Sequence, residues 1–241
     1  MKIHHLLDFV FVPRCAFCRE RLLAGSGALC EKCRASYAVA LADICPYCGA
    51  QISSCTCAGE RLERAGVSRL IKLFAYHPGE ESVQNALIYR LKHSADRRVV
   101  ALLAQNLADA LRPHVSRLIE ERKSVLLTYA PRSRRARRAH GFDHMRHLTC
   151  VTARLLDVPF ASLLTRKNGS EQKKQESRGA RYRNMREAYR YRGREVISGK
   201  HIILLDDITT SGATLAAAAR VLRRSGARSV SAAVLGATPP N

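Results

Sequence analysis

At 241 residues, 46% hydrophobic and 25% charged, the chain is long enough for one sizeable domain plus a small appendage and has the balance of a soluble protein with a real core. Its 41 Lys and Arg against 20 Asp and Glu leave +21, a surplus that points to polyanionic partners (nucleic acid, phosphorylated ligands or an anionic membrane face) without choosing among them. The longest early apolar run, LLDFVFVP from Leu6, contains Asp8 and falls far short of the ~20 residues of a membrane span, so neither a span nor a signal peptide is read here and a cytoplasmic location is expected.

Eight of the nine cysteines lie between Cys15 and Cys57; only Cys150 stands elsewhere. They come in close pairs: Cys15 with Cys18, Cys30 with Cys33, Cys45 with Cys48, and Cys55 with Cys57. A C-x-x-C turn converges two thiolates on one ion, and two turns complete a closed tetrahedral site, so four pairs fit two structural zinc ions. Disulfides, a redox pair or an iron–sulfur cluster are the competing readings. Sequential pairing is expected, with His4, His5, His77 and His93 read as solvated or core residues rather than spare ligands. The segment up to about Glu60 shows little apolar periodicity, so something other than hydrophobic burial must hold it.

From Leu62 the pattern changes. VSRLIKLFAYH reads as a strand, and the following apolar positions, Val83, Leu87 and Leu91, then Leu103, Leu107 and Leu111, predict two helices stopped by Pro113. SVLLTYAP reads as a buried strand ending at Pro131, MRHLTCVTARLLDV as an amphipathic helix, and PFASLLTR as another strand. The polar stretch from Arg166 to Arg194 reads as a loop whose end forms a further element. KHIILLDD, TLAAAARVLRRSGA and SVSAAVLGAT supply a strand, a helix closed by Gly226 and a last strand. Alternating strand and helix predicts an α/β fold with a largely parallel sheet covered on both faces.

The stretch LLDDITTSGATL carries the chemistry. Asp206 and Asp207 close an apolar run, and Thr209, Thr210, Ser211, Gly212, Ala213 and Thr214 follow where a helix begins. Unpaired amides and the helix dipole at such a terminus favour an anion, and Gly212 lets the backbone approach it. Carboxylates would repel a bare phosphate; they suit sugar hydroxyls or a hydrated magnesium, and a ribose 5-phosphate unites these demands. The competing reading is a helix capped by its own Ser and Thr side chains.

IILLDDITTSGATL resembles the signature of type I phosphoribosyltransferases. That resemblance assigns Asp206 and Asp207 to the ribose hydroxyls of phosphoribosyl pyrophosphate, with magnesium, and residues Thr210 to Thr214 to its 5-phosphate. The whole pattern of cysteine knuckles, LIYRLKHSADRRVV, APRSRRARRAHGFDHM, RYRNMREAY and the acid-rich loop resembles the competence protein F (ComF) family over almost the entire length. It implies a zinc ribbon domain over residues 1–60, a phosphoribosyltransferase-like domain over 61–241, and a role in DNA uptake or utilisation. The family usually shows R-G-F-N-Q where this chain has His140, Gly141, Phe142, Asp143 and His144, and T-T-G where it has Thr210, Ser211 and Gly212.

In the same resemblance the pyrophosphate loop follows the strand ending at Pro131, so Ala130, Pro131, Arg132 and on to Arg134 are its candidates. Arg132, Arg134, Arg135, Arg137 and Arg138 suit pyrophosphate oxygens, a nucleic acid backbone or a solvated basic face. A second basic segment interleaves Tyr182, Tyr189 and Tyr191 with Lys173, Lys174, Arg178, Arg181, Arg183, Arg186, Arg190, Arg192 and Arg194. It suits single-stranded DNA by stacking and phosphate neutralisation, or a loop that closes over substrate. Lys92 reads as a solvated charge at a helix end. Two functions follow: a phosphoribosyl pyrophosphate-binding protein handling single-stranded DNA, in association with membrane DNA-uptake machinery, or an active transferase with an unidentified base or amine acceptor.

Overall fold

The structure is a computed structural model that describes residues 12–238 apart from 24, 46–47, 53, 95, 134–137, 139–140, 167–187 and 194. Its elements are α1 (Glu31–Leu41), α2 (Glu60–Glu63), β1 (Val67–Ala75), α3 (Val83–His93), α4 (Arg97–Glu120), β2 (Val125–Tyr129), α5 (His144–Leu156), β3 (Leu164–Arg166), β4 (Tyr189–Tyr191), β5 (His201–Thr209), α6 (Ala213–Arg224) and β6 (Ser229–Ala237).

Four strands form an all-parallel sheet in the order β1-β6-β5-β2. Side chains alternate between its two faces. Ile71, Leu73, Leu127, Ile203, Leu205, Ala233 and Leu235 join one buried cluster with α3, α4 and α5. Leu70, Leu126, Ile202, Leu204, Ala232 and Val234 join another with α2 and α6. Both faces are covered, as the near-continuous apolar strands require.

Two expectations need correction. The second predicted helix does not stop at Pro113 but runs through it to Glu120. Leu107, Leu111, Val115 and Leu118 keep one stripe of α4 in the core on both sides of the proline, and that burial outweighs the ~3 kcal/mol that an interior proline costs. PFASLLTR does not form a strand of the main sheet. Phe160 bridges to Leu127 beside β2, whereas Leu164–Arg166 pairs antiparallel with Tyr189–Tyr191 as a separate two-stranded ribbon.

Among the described residues, the first half of the cysteine-rich segment packs into the core of the sheet. Cys15, Leu29, Cys30, Cys33 and Tyr37 belong to the same buried cluster as α3 and α4. Arg90 Nε donates to Ala16 O at 2.6 Å, Asn106 Nδ2 donates to Tyr37 Oη at 2.9 Å, and the Tyr37 ring meets Phe74 edge-on. The second half of the segment instead wraps the open edge of β1, where Leu70 N–H donates to Thr56 O at 3.2 Å.

Candidate functional site

Within each cysteine quartet, the sulfurs of Cys15, Cys18, Cys30 and Cys33, and those of Cys45, Cys48, Cys55 and Cys57, lie within 4.8 Å of one another. Four thiolates so close and unbridged fit one tetrahedral zinc each, a closed set with a structural rather than catalytic role. The grouping is sequential along the chain. His77 and His93 belong to neither set, and His4 and His5 lie outside the described residues.

β5 continues past the acids to Thr209, so Asp206 and Asp207 are strand residues. Neighbours on a strand point to opposite faces, and the two carboxylates live in different surroundings. Asp207 faces the α3–α5 layer, where Lys92 Nζ and His144 Nε2 each lie 3.1 Å from its Oδ2, while its Oδ1 accepts from Ile208 N–H at 2.7 Å. Burial by itself would raise its carboxyl pKa; the His144 hydrogen bond and the Lys92 charge overcome that and hold it well below the usual carboxylate range. Asp206 is buried on the other side. Burial first, and then the charge of Asp207, push its pKa well above the ordinary value, against the opposing pull of the Asp207 N–H, Lys92 and Arg166. The pair therefore divides into a buried acid whose pKa is raised and one whose pKa is lowered by the cation it is already matched to.

The β3–β4 ribbon flanks Asp206. Arg166 lies over the Tyr189 ring, 5.8 Å from its centroid, and burial together with the charge of Asp206 raises the Tyr189 phenol. Lys92, His144, Arg166 and Tyr189 are thus part of the acid site. The solvated reading of Lys92 is corrected: it ends α3 beneath the strand tip, where its charge is paired rather than wet. The signal for His144 was available as the departure from the family pattern at that position, but only the fold brings it to Asp207.

Beyond the acids, Thr209 is buried, Thr210 and Ser211 are exposed, and Gly212 enters α6 in the left-handed region at φ 69°. No side chain caps α6, so the Ser and Thr hydroxyls do not serve the role of the competing reading. Helical bonding starts with Ala216 N–H to Gly212 O at 2.9 Å, leaving the amides before it outside the ladder. The result, among the described residues, is a helix N-terminus without a side-chain cap and with the exposed hydroxyls of Thr210 and Ser211 in front. Pro131 and Arg132 follow β2, next to β5 at the same end of the sheet, and Ala130 N–H donates to Leu205 O at 2.9 Å. Arg134, Arg135, Arg137 and His140 lie outside the described residues, as do Lys173, Lys174, Arg178, Arg181, Tyr182, Arg183, Arg186 and Arg194.

A feature that sequence reasoning missed is the contact between the cysteine segment and this loop. Arg61 Nη1 donates to Ser211 O at 3.0 Å, and Leu62 packs where a Gly212 side chain would stand, its Cγ 3.1 Å from that position. Lys72, almost fully buried, donates to Cys57 O at 2.8 Å. A cavity of about 880 Å³ lies between residues 57–63 and Thr209–Gly212. The exit from the second quartet therefore forms a wall of the loop's surroundings.

The comparisons with known proteins match both halves. The double zinc ribbon domain family covers residues 6–67, and the phosphoribosyl transferase domain family covers residues 149–239. The chain joins a double zinc ribbon to a phosphoribosyl transferase domain. This is the pairing that the ComF resemblance implies. The DNA utilization protein YhgH of Escherichia coli K12 is 27% identical over 220 residues, 90% of this chain and 93% of the relative; that of Salmonella typhimurium LT2 is 27% identical over 227 residues, with the same coverage. Among solved structures, the allosteric regulatory enzyme of purine biosynthesis aligns with 61% of this chain and 30% of its own, at 17% identity and a TM-score of 0.41. A hypoxanthine phosphoribosyltransferase from Staphylococcus aureus aligns with 58% of this chain and 65% of its own, at 13% identity and a TM-score of 0.34. Likeness at that level adds nothing to the family matches. Among the described residues, no helix of this chain is long and apolar enough to cross a membrane.

Proposed function

We propose that the protein binds phosphoribosyl pyrophosphate at the end of β5 and handles single-stranded DNA in DNA uptake or utilisation. The observation that carries this reading is the uncapped N-terminus of α6 beside a carboxylate pair at the carboxyl ends of a parallel sheet, where open α/β sheets take their ligands. In it, the 5-phosphate rests on the amides and hydroxyls of Thr209, Thr210, Ser211, Gly212, Ala213 and Thr214. The ribose hydroxyls donate to Asp206 and Asp207. Pyrophosphate lies toward Pro131 and Arg132. Both oxygens of Asp207 already have protein partners, so magnesium would be carried by pyrophosphate oxygens and water rather than by that carboxylate.

The +21 charge and the relatives' DNA utilization names support the DNA half of the proposal. Residues 1–60 and 61–241 are its two working units, and the cytoplasmic side of a membrane DNA-uptake machinery is its place. The test is a titration of phosphoribosyl pyrophosphate and magnesium with and without single-stranded DNA, read by thermal shift. Stabilisation by the ligand is expected, lost in Asp206→Asn with Asp207→Asn while the fold persists. DNA binding with a steep salt slope but no shift with the ligand would refute the pocket assignment. Release of pyrophosphate with one nucleobase or amine would establish transfer.

A further inference from the structure

Edge strand β1 carries a second cleft on its opposite face. Its alternation sends Leu70 and Lys72 toward the phosphate-loop side and Arg69, Ile71 and Leu73 toward α4. Between those last residues, α4 and the second cysteine knuckle lies a cavity of about 530 Å³, the size of a small-ligand site and placed on a seam between two units where such sites concentrate. It sits near the beginnings of the strands, whereas the acid pair and phosphate loop lie at their ends.

The rim of this cleft carries two arginines, with the Glu121 carboxylate within electrostatic reach of Arg117. Arg69 and Arg117 both line it, and neither makes an ion pair or side-chain hydrogen bond among the described residues. The carboxylate that lines it, Asp109, is engaged by Gln105 Nε2 at 2.9 Å and Arg112 at 3.8 Å. Between the two arginines stands His114, whose Nε2 shares the Ser231 hydroxyl with His201 Nε2, at 3.1 and 3.0 Å. Its Nδ1 is buried with no hydrogen-bond partner. Burial and then the charges of Arg69 and Arg117 bring the His114 pKa down to about 4, so at neutral pH the ring is uncharged and the positive field comes from the guanidiniums. Ile71 and Leu73 form an apolar floor, with Leu41 and Pro113 as walls.

Two guanidinium forks beside a slot floored by Ile71 and Leu73 and edged by Gln51, Ser54, Thr56 and Asn106 match a phosphate attached to a flat body with polar edges. We propose that this cleft binds a nucleoside monophosphate unit, its phosphate on Arg69 and Arg117 and its base in the slot between Leu41 and Pro113. The unit is a free nucleotide or one residue of a strand; the chemistry is shared.

The experiment is calorimetry on the full-length, zinc-loaded protein. Because a 5′-nucleotide also suits the phosphate loop, titrations with adenosine 5′-monophosphate are run in saturating ribose 5-phosphate. Binding at least tenfold tighter than that of inorganic phosphate or adenosine is expected. Arg69→Gln with Arg117→Gln is expected to weaken it at least tenfold, while leaving ribose 5-phosphate affinity unchanged. Ala110→Trp, which fills the cleft from the partly exposed side of α4, is expected to abolish it without touching a charge. Displacement of the nucleotide by oligothymidylate identifies a strand residue as the natural occupant; no displacement identifies a free nucleotide. Absent nucleotide binding, or binding indifferent to both sets of substitutions, overturns the assignment. If ribose 5-phosphate does not bind, the phosphate-loop reading fails separately, and the arginine variants still report on the cleft.

Discussion

Substituting Gly212 by alanine perturbs the loop between β5 and α6 at a point where both its backbone conformation and its surroundings resist a side chain. The backbone there has φ 69°, a conformation that costs a residue with a Cβ about 1 kcal/mol relative to glycine. The new methyl also meets Leu62 Cγ at 3.1 Å and Cδ2 at 3.3 Å, inside the ~3.5–4.0 Å of a comfortable carbon contact, so either Leu62 or the loop must yield. Together these give a loss of about 1–3 kcal/mol, or roughly 2–12 °C in Tm for a protein of this size. If the loop is what yields, affinity for ribose 5-phosphate is expected to fall about tenfold or more, the equivalent of ~1.4 kcal/mol. Urea denaturation and calorimetry measure the two effects, and Leu62→Ala separates them. In that background the steric part should vanish and only the backbone part remain. A Gly212→Ala protein as stable as the parent would refute both the left-handed geometry and the Leu62 contact.

Asp206→Asn is expected to abolish ligand binding yet stabilise the fold at pH 7–8. A carboxyl whose folded pKa is raised contributes stability that is fully present below the unfolded value of about 3.9 and lost as pH rises through the folded one, so the gain should disappear near pH 3 in urea titrations. Lys92→Met removes the cation that, with His144, holds Asp207 ionised; about 2–4 kcal/mol should be lost above pH 5, with the deficit shrinking as acid protonates Asp207. Equal deficits at pH 3 and pH 7 would refute the pairing. Metal analysis should return two zinc ions per chain. Cys15→Ser is expected chiefly to lower Tm, because its quartet sits in the main core, whereas Cys57→Ser should weaken ribose 5-phosphate binding through residues 57–62. Equal effects of the two on both readouts would argue against that division.

Much of the architecture was legible because it rests on local signals. The apolar runs of β2, β5 and β6 and the C-x-x-C pairs each carry their own physical cause within a few residues. What was not legible depends on distant partners. Pro113 looked like a helix stop because its cost is local, while the compensating burial of Val115 and Leu118 is tertiary. Lys92 looked solvated because Asp207 is 115 positions away in the sequence and opposite only in space. The adjacency of Asp206 and Asp207 suggested a joint role, but strand pleating puts them on different faces with opposite pKa shifts. The packing of Arg61 and Leu62 against Ser211 and Gly212 had no counterpart in any motif.

The hydrogen bond from Leu70 N–H to Thr56 O has a meaning beyond ligand binding. β1 is an outer strand of the sheet, and an outer strand of nine largely buried residues is a template for pairing with another chain. The second knuckle reaches that rim through Thr56 and Cys57, and its four thiols are grouped to fit a metal ion. Zinc loss would therefore bare an adhesive border, and the demetallated protein should self-associate before it unfolds, making metal supply a determinant of solubility in the cell.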